Sequence, residues 1–562
     1  MKRPAPDRFR AVTALAYLLL LGVYLVYWSH VAYFVDDWFL LKRFGEARER
    51  GLAGVADFAA AAAQNRIYGV FRAQWLSILW GFLVTAVGGD SARFNFAALL
   101  LLHAACAWVL CQTLARLGVD RGVAFLAGAL YLLAPSAHFA LVTYLANPFF
   151  VFSMFWSLLL LLWFAGGARS HAAGVACAVA GLFSGEQVFL LLWALVPLAW
   201  LCFPRRGTSR QICLDVPNAR RRPMLTVWAS LGLALAVYLL WINRVPVGEA
   251  GFSRRYQWTW EQLQKNADMI STEWLQLSGI TADAVYRVSP GPVDLAMAGS
   301  AAVIVGFLLW NYSGSKPHGG PHWRLGLFAA CGVLIVYVPV LWIAGGFARF
   351  RYHYAASPFL GLGLAAICGT LPRPASALLG GVAAGLFSLN ATADLRQCWI
   401  PQSGHHRALE SQLRSLPNVA AGDILVISAT PFATGTAQHF TLHSSLSANP
   451  FAERATGAAP LEVARELFLL HDRLMLYQRD YQRPLHPEDL RRTHVLVWSG
   501  RGSFSQCHWV ALELPSGRFR LEPLKGTAPL EPPADFLSEQ LALRGPRIYF
   551  PKKLGPGQPA VW

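Results

Sequence analysis

Residues 11–28 read AVTALAYLLLLGVYLVYW, and the chain continues through VAYFVDDWFL at 31–40. The first stretch is long enough and apolar enough to cross a bilayer as a helix. Met1 to Arg10 is basic, which keeps the N-terminus on the cytoplasmic side. No small-residue cleavage site precedes the polar stretch that follows, so the run reads as a retained first span and not as a signal peptide. The span then delivers Asp36 and Asp37 to its outer mouth. Two adjacent carboxylates are costly to hold there and are useful mainly for chemistry or ion binding.

Working outward, the 562 residues are 55% hydrophobic, 13% aromatic and only 14% charged, with a mean hydropathy of +0.39. That balance is too apolar for an ordinary soluble protein and predicts a polytopic membrane protein. The net charge of +17 is not a nucleic-acid footprint, because the basic residues sit in short segments between apolar runs, as in cytoplasmic loops. Cys106, Cys111, Cys177, Cys202, Cys331 and Cys368 lie in or beside apolar runs without metal-ligand spacing and read as packing residues.

Loop charge decides the topology. If Val70 to Val87 crossed the membrane, the Arg116/Arg121 loop and the Arg205 to Arg222 loop would face outward, against the positive-inside rule. The segment therefore reads as an interfacial helix within a long outer loop, residues 30–92. Ten further spans follow near 94–115, 122–135, 147–165, 171–183, 187–203, 224–242, 293–311, 325–344, 355–370 and 375–391, about eleven in all. Every inner loop then carries positive charge, and the tail ends outside. Residues 1–392 form the membrane part and 393–562 a soluble extracytoplasmic domain. In that tail, DILVIS (423–428) and HVLVW (494–498) read as buried strands, and LEVARELFLLHDRLMLY (461–477) has helical apolar spacing, which together predict a small α/β module. Cys398 and Cys507 share a compartment that permits a disulfide. GTAPLEPPADF (526–536) reads as a linker.

An extracytoplasmic transferase has no nucleotide sugar to draw on, so its donor must arrive activated on a lipid, as a polyprenyl-phosphate sugar does. The leaving phosphate is stable as an anion. The protein must then supply a base for the acceptor and cations for the phosphate. Asp36 and Asp37 suit the first role, and Arg72, Arg349 and Arg351 suit the second.

The Asp pair after the first span, RIYGVFRAQWLSILWGFLVTAVGGDSARFNFAALLLLHAACAWVLCQTLARLG (66–118), APSAHFALVTYLANPFF (134–150), LFSGEQVFLL (182–191) and FRYHYAASPFLGLGLA (350–365) fall in the order seen in GT-C glycosyltransferases. The membrane part resembles the members related to protein O-mannosyltransferases. The resemblance implies a GT-C-like fold and an inverting transferase that uses a polyprenyl-phosphate sugar, with an outer-loop acid as base; Asp36 is the best counterpart, with Asp37 beside it. The tail shows no tetratricopeptide period.

Each of these residues also has a plainer reading. Asp36 or Asp37 is a good N-cap for a helix starting near Trp38. Glu186 either caps the next helix or lines the acceptor cleft, and Arg351 and Tyr352 either bind the phosphate or anchor a span at the headgroups. His138 and His353 are weaker acceptor-cleft candidates, and Tyr354 is another weak one. No spacing specifies a metal, although paired Asp residues can hold a divalent cation beside phosphate. The sequence thus predicts a glycosyltransferase of a bacterial inner membrane, with membrane lipid, a polyprenyl-phosphate sugar and an extracytoplasmic acceptor (protein, lipid-linked glycan or envelope polymer) as partners. The competing reading is a transporter or lipid-sugar flippase. Against it, the carboxylates sit at outer span ends and not at the bilayer midplane.

Overall fold

In a computed structural model of the protein, the described residues are 6–33, 37–63, 75–134, 136–137, 141, 148–166, 170–184, 189–203, 224–234, 236–237, 259–277, 290–313, 322–341, 350–428, 433–434, 439–440, 445–464, 466–470, 473–478, 481–498, 504–507, 509–513, 519–525 and 548–549. The chain divides into two units: residues 1–31 with 44–396, and residues 32–43 with 397–562.

The first unit is helical. Among the described residues, five helices are long and apolar enough to cross a membrane: Arg8–Leu25, Ala92–Arg116, Pro148–Ala165, Pro292–Tyr312 and Arg373–Ser415. An integral membrane protein is built from such helices. Leu15, Leu18 and Leu19 on the first of these, Val303 and Phe307 on the fourth, and Leu378 and Leu386 on the last stay exposed, which suits side chains solvated by lipid. Shorter apolar helices include Arg121–Leu132, His171–Leu182, Leu190–Cys202, Met224–Ala234 and Trp323–Val338. Polar caps start several of these helices: Ser91 accepts from the Phe94 amide, Asp120 from Gly122 and Ser170 from Ala173.

Helix pairs in this unit meet through small residues and single hydrogen bonds. A Cβ at Gly381 would come within 2.8 Å of the Ala302 carbonyl and one at Gly385 within 3.1 Å of Ala298, so these two glycines let the last helix approach Pro292–Tyr312 closely. The first span is pinned to Arg121–Leu132 by two tyrosines, Tyr17 donating to the Phe125 carbonyl at 2.9 Å and Tyr24 to Leu132 at 2.7 Å.

The apolar segment expected to lie flat forms the helix Trp75–Gly88, fourteen residues long. Phe82 stacks on Phe58 at 5.1 Å and meets Phe44 edge-on at 5.8 Å, and Arg48 donates to the Thr85 carbonyl near the helix end at 2.6 Å.

The second unit carries strands β1 (Ile424–Ser428), β2 (Ala433–Thr434), β3 (His439–Phe440), β4 (Glu462–Ala464), β5 (Glu466–Leu470), β6 (Arg473–Gln478), β7 (Tyr481–Pro484), β8 (Thr493–Trp498), β9 (Phe504–Cys507), β10 (Trp509–Glu513), β11 (Phe519–Pro523) and β12 (Ile548–Tyr549). One sheet has the order β4-β1-β8-β9, with β1 parallel to both β4 and β8 and β9 antiparallel to β8. The helix Ser445–Thr456 precedes β4 and packs Phe451 and Ala452 into a core with Leu409, Leu413, Leu425, Val463 and Leu496.

Two expectations change. The helix read over 461–477 is strand: β4, β5 and β6 occupy it, with β5-β6-β7 an antiparallel meander. Leu, Met and Glu favour helix locally, but the register Leu470↔Arg473 and Gln478↔Tyr481 leaves two residues between partners each time, the spacing of tight hairpins, and sheet pairing overrides propensity. The change of character placed at 393 falls inside one helix, Arg373–Ser415, whose last part, Gln397 onward, groups with the second unit. The 526–536 linker lies outside the described residues.

Candidate functional site

Asp37 is the first residue of the helix Asp37–Glu49 and is fully buried. A carboxylate in the first turn faces the positive end of the helix dipole, which offsets part of the cost of removing it from water. Through residues 32–43 it belongs to the second unit. Asp36 lies outside the described residues.

In the first unit, the short turn of helix Phe350–Ala355 is fixed by two buried side chains in succession. His353 Nε2 lies 2.8 Å from Glu273 Oε2, and its Nδ1 lies 2.6 Å from the Tyr337 hydroxyl, which in turn accepts from the Trp274 indole at 2.5 Å. An indole N–H can only donate, so for a neutral imidazole the order is Trp274 to Tyr337, Tyr337 to Nδ1, and Nε2–H to the carboxylate. His353 is fully buried and Glu273 nearly so. The Tyr354 hydroxyl, one residue on, lies 2.8 Å from His103 Nδ1, and His103 Nε2 faces the Leu132 carbonyl at 3.1 Å. A carbonyl only accepts, so in the neutral ring Nε2 carries the proton, Nδ1 accepts from Tyr354, and Tyr354 accepts from Tyr131 at 2.5 Å. Ser357 donates to the His353 carbonyl at 2.9 Å and contacts the Ser136 hydroxyl. The backbone that carries Arg351 and Tyr352 is thereby held firmly.

The helix Trp260–Leu277 supplies Glu273 and Trp274 and is itself docked by polar residues on one face. Asn266 donates to the carbonyls of Val340 (3.2 Å) and Leu341 (2.9 Å), the last two residues of the helix His322–Leu341, and Gln262 donates to Asn266 at 3.1 Å. A third polar cluster closes the start of Pro292–Tyr312. Buried Asp294 accepts from the Tyr27 hydroxyl at 2.7 Å, the Gly291 amide at 2.8 Å and Arg396 Nε at 2.9 Å.

Of the sequence-derived candidates, Asp36, Arg72, His138, Glu186 and Arg349 lie outside the described residues, as do the side chains of Arg351 and Tyr352, whose backbone is in the Phe350–Ala355 turn. Asp37 and His353 have described side chains, in different units. Sequence reasoning missed Glu273, Tyr337, Trp274 and His103. The available signal was the stripe Gln262, Asn266, Ile270, Glu273, spaced four, four and three residues apart, as on one face of a helix. Among the described residues no group of three His, Cys, Asp or Glu side chains is placed to hold a metal ion. The six cysteines read as packing residues are free; the side chains of Cys398 and Cys507 are outside the described set. Comparison with protein-family models, with curated proteins and with solved structures finds no match.

Proposed function

We propose that the protein is an inverting, GT-C-like glycosyltransferase that moves a sugar from a polyprenyl phosphate to an extracytoplasmic acceptor. In this reading about eleven spans cross a bacterial inner membrane, the Trp75–Gly88 helix lies in the outer interface, and the C-terminal unit is a small α/β domain outside. The observation that carries the proposal is the full burial of Asp37 where the chain first leaves the membrane, beside Asp36. A carboxylate withdrawn from water at that point is costly to hold, and it stands next in sequence to the acid that the resemblance assigns as base.

The acceptor oxygen attacks the anomeric carbon as its proton passes to Asp36, with Asp37 as the neighbouring acid. The bond from that carbon to the phosphate oxygen breaks, and polyprenyl phosphate leaves with the electron pair. Arg351, with Arg349 or Arg72, neutralises the departing phosphate, and Tyr352 contributes a hydroxyl. His353, held by its buried bond to Glu273, is assigned to the acceptor side together with His138 and Glu186. A divalent cation beside the phosphate is compatible with the chemistry.

The test is mass spectrometry of envelope glycans and glycoproteins from cells with and without the gene. Loss of one hexose-sized mass is expected, and restoration by the wild-type but not the Asp36→Asn protein, which should transfer roughly a hundredfold less while folding normally. An unchanged glycan profile, or full restoration by Asp36→Asn, would sink the proposal.

A further inference from the structure

The helix that begins at Asp37 is shared. Its first seven residues, 37–43, group with the C-terminal unit, and the rest with the membrane helices. What holds the first part is specific. Trp38 packs against the buried core of the C-terminal unit, its ring 5.0 Å from Phe451 in an edge-on arrangement and 6.4 Å from His406, with Tyr33 at 5.3 Å on the chain before it. Lys42, four residues on and so on the same face as Trp38, reaches Glu453 at 2.6 Å. The other oxygen of Glu453 accepts from the Leu461 amide at 3.1 Å, which fixes the carboxylate from the sheet side. Leu40 and Leu41 are buried as well. The contacts on the far side, Phe451 and Glu453, come from one helix, Ser445–Thr456, which leads into β4.

An aromatic contact and an ion pair one turn apart fix both the position and the rotation of a helix, and Asp37 is the residue immediately before Trp38. We infer that the C-terminal unit positions the acidic start of this helix: Trp38 and Lys42, held by Phe451 and Glu453, are positioning residues for Asp37. The domain is then part of the catalytic machinery and not an appendage to it. For the chemistry alone this rests on the transferase reading; the grip on the helix does not.

A base displaced by about 1 Å loses on the order of a hundredfold in rate, so the consequence is measurable. The full-length protein in lipid nanodiscs is compared by hydrogen exchange with Phe451→Ala, Lys42→Glu, Glu453→Gln and the charge-swapped Lys42→Glu/Glu453→Lys, and each variant is used to complement cells lacking the gene. Phe451→Ala and Lys42→Glu should speed exchange at 37–43 by about tenfold or more and leave Ala92–Arg116 and Pro148–Ala165 unchanged, with the glycan product falling at least tenfold. Glu453→Gln, which keeps the Leu461 bond, should have the smaller effect, and the charge swap, which re-forms the ion pair but leaves the Leu461 amide without its acceptor, should restore part of both readouts. Phe451→Leu, which refills the core, should also recover them. Unchanged protection at 37–43 in the single variants, or lost protection with full product, overturns the inference. If the product does not depend on the gene at all, the transferase reading fails, while the exchange pattern still decides whether the C-terminal unit holds this helix. Should Phe451→Ala fail to fold, the charge-swap series carries the same decision.

Discussion

Glu273 in the membrane unit and Asp423 in the C-terminal unit each face a buried histidine, but the third partner differs. Glu273 meets His353, whose other nitrogen faces the neutral Tyr337 hydroxyl. Asp423 meets His494 at 3.3 Å, but its Oδ2 also accepts from Lys525 at 2.5 Å and from the Ala420 amide at 2.8 Å. In the C-terminal unit the ammonium neutralises the carboxylate and the imidazole is an accessory donor. In the membrane unit the imidazole is the bridge through which the carboxylate acts on the Phe350–Ala355 turn. The same contrast runs through the units at large. The first is joined by small residues and short buried hydrogen-bond chains. The second adds a surface network in which Arg483 grips Glu462 at 2.7 Å and Asp489 at 3.6 Å, and Arg492 bridges Asp489 and the Gly422 carbonyl.

The largest effect that would sharpen this contrast concerns thiols. Cys106, Cys111 and Cys368 are free and buried among the membrane helices. Cys398 and Cys507 both belong to the C-terminal unit and are expected to be joined. Closing a loop of about a hundred residues stabilises by roughly 4 kcal/mol, so reduction should destabilise the C-terminal unit strongly and leave the membrane unit unmoved. Non-reducing peptide mapping should recover the joined peptide; two free thiols in protein taken from an oxidising envelope would remove this difference between the units.

Next in size is removal of each carboxylate. Asp423→Ala strands an ammonium, an imidazole N–H and an amide, and should cost about 3 kcal/mol, the low end for a broken buried pair because Lys525 is 21% exposed. Glu273→Ala leaves His353 Nε2 without its carboxylate partner and should cost about 1–2 kcal/mol in stability. Its effect on glycan transfer should be the greater of the two, through the Arg351 turn. Opening free energies from hydrogen exchange at 424–428 and 322–341, with complementation beside them, check both orders. Equal costs, or a larger transfer defect in Asp423→Ala, would break the comparison.

The sequence showed some of this and hid the rest for physical reasons. Long uncharged runs such as Ala11–Trp28 and short β-branched ones such as DILVIS are decided by local pattern, and both became the elements they suggested. LEVARELFLLHDRLMLY misled because its period fits a helix while the deciding hydrogen bonds come from pairing between its own segments. His353 looked like an ordinary interface side chain because its partner Glu273 is 80 residues away. Asp37 stood out as a candidate acid by its place after the first span. The packing of the neighbouring Trp38 on Phe451 did not, since no local rule links a segment near the N-terminus to a helix in the tail.

The smallest expected effect is a pH dependence confined to the C-terminal unit. Burial pushes the His494 imidazole below its ordinary 6.5, more than the bond to Asp423 raises it, and Lys525 adds to the lowering. Burial pushes the Asp423 carboxyl up, but bonds from Lys525, the Ala420 amide and His494 outweigh it and hold it below the usual carboxylate range. Both folded values are depressed, so both groups contribute stability above their unfolded values that is lost as the pH falls. The unfolded imidazole takes up its proton near 6.5 and the unfolded carboxyl near 3.9, so between pH 7 and 5 the loss comes from His494 and only below about 4 from Asp423. Thermal unfolding of the C-terminal unit should therefore move to lower temperature across pH 7 to 5, and His494→Asn, which can still donate to Asp423, should flatten that slope while leaving the step below pH 4. A slope unaltered by His494→Asn would show that the histidine contributes nothing to the pH dependence of this unit.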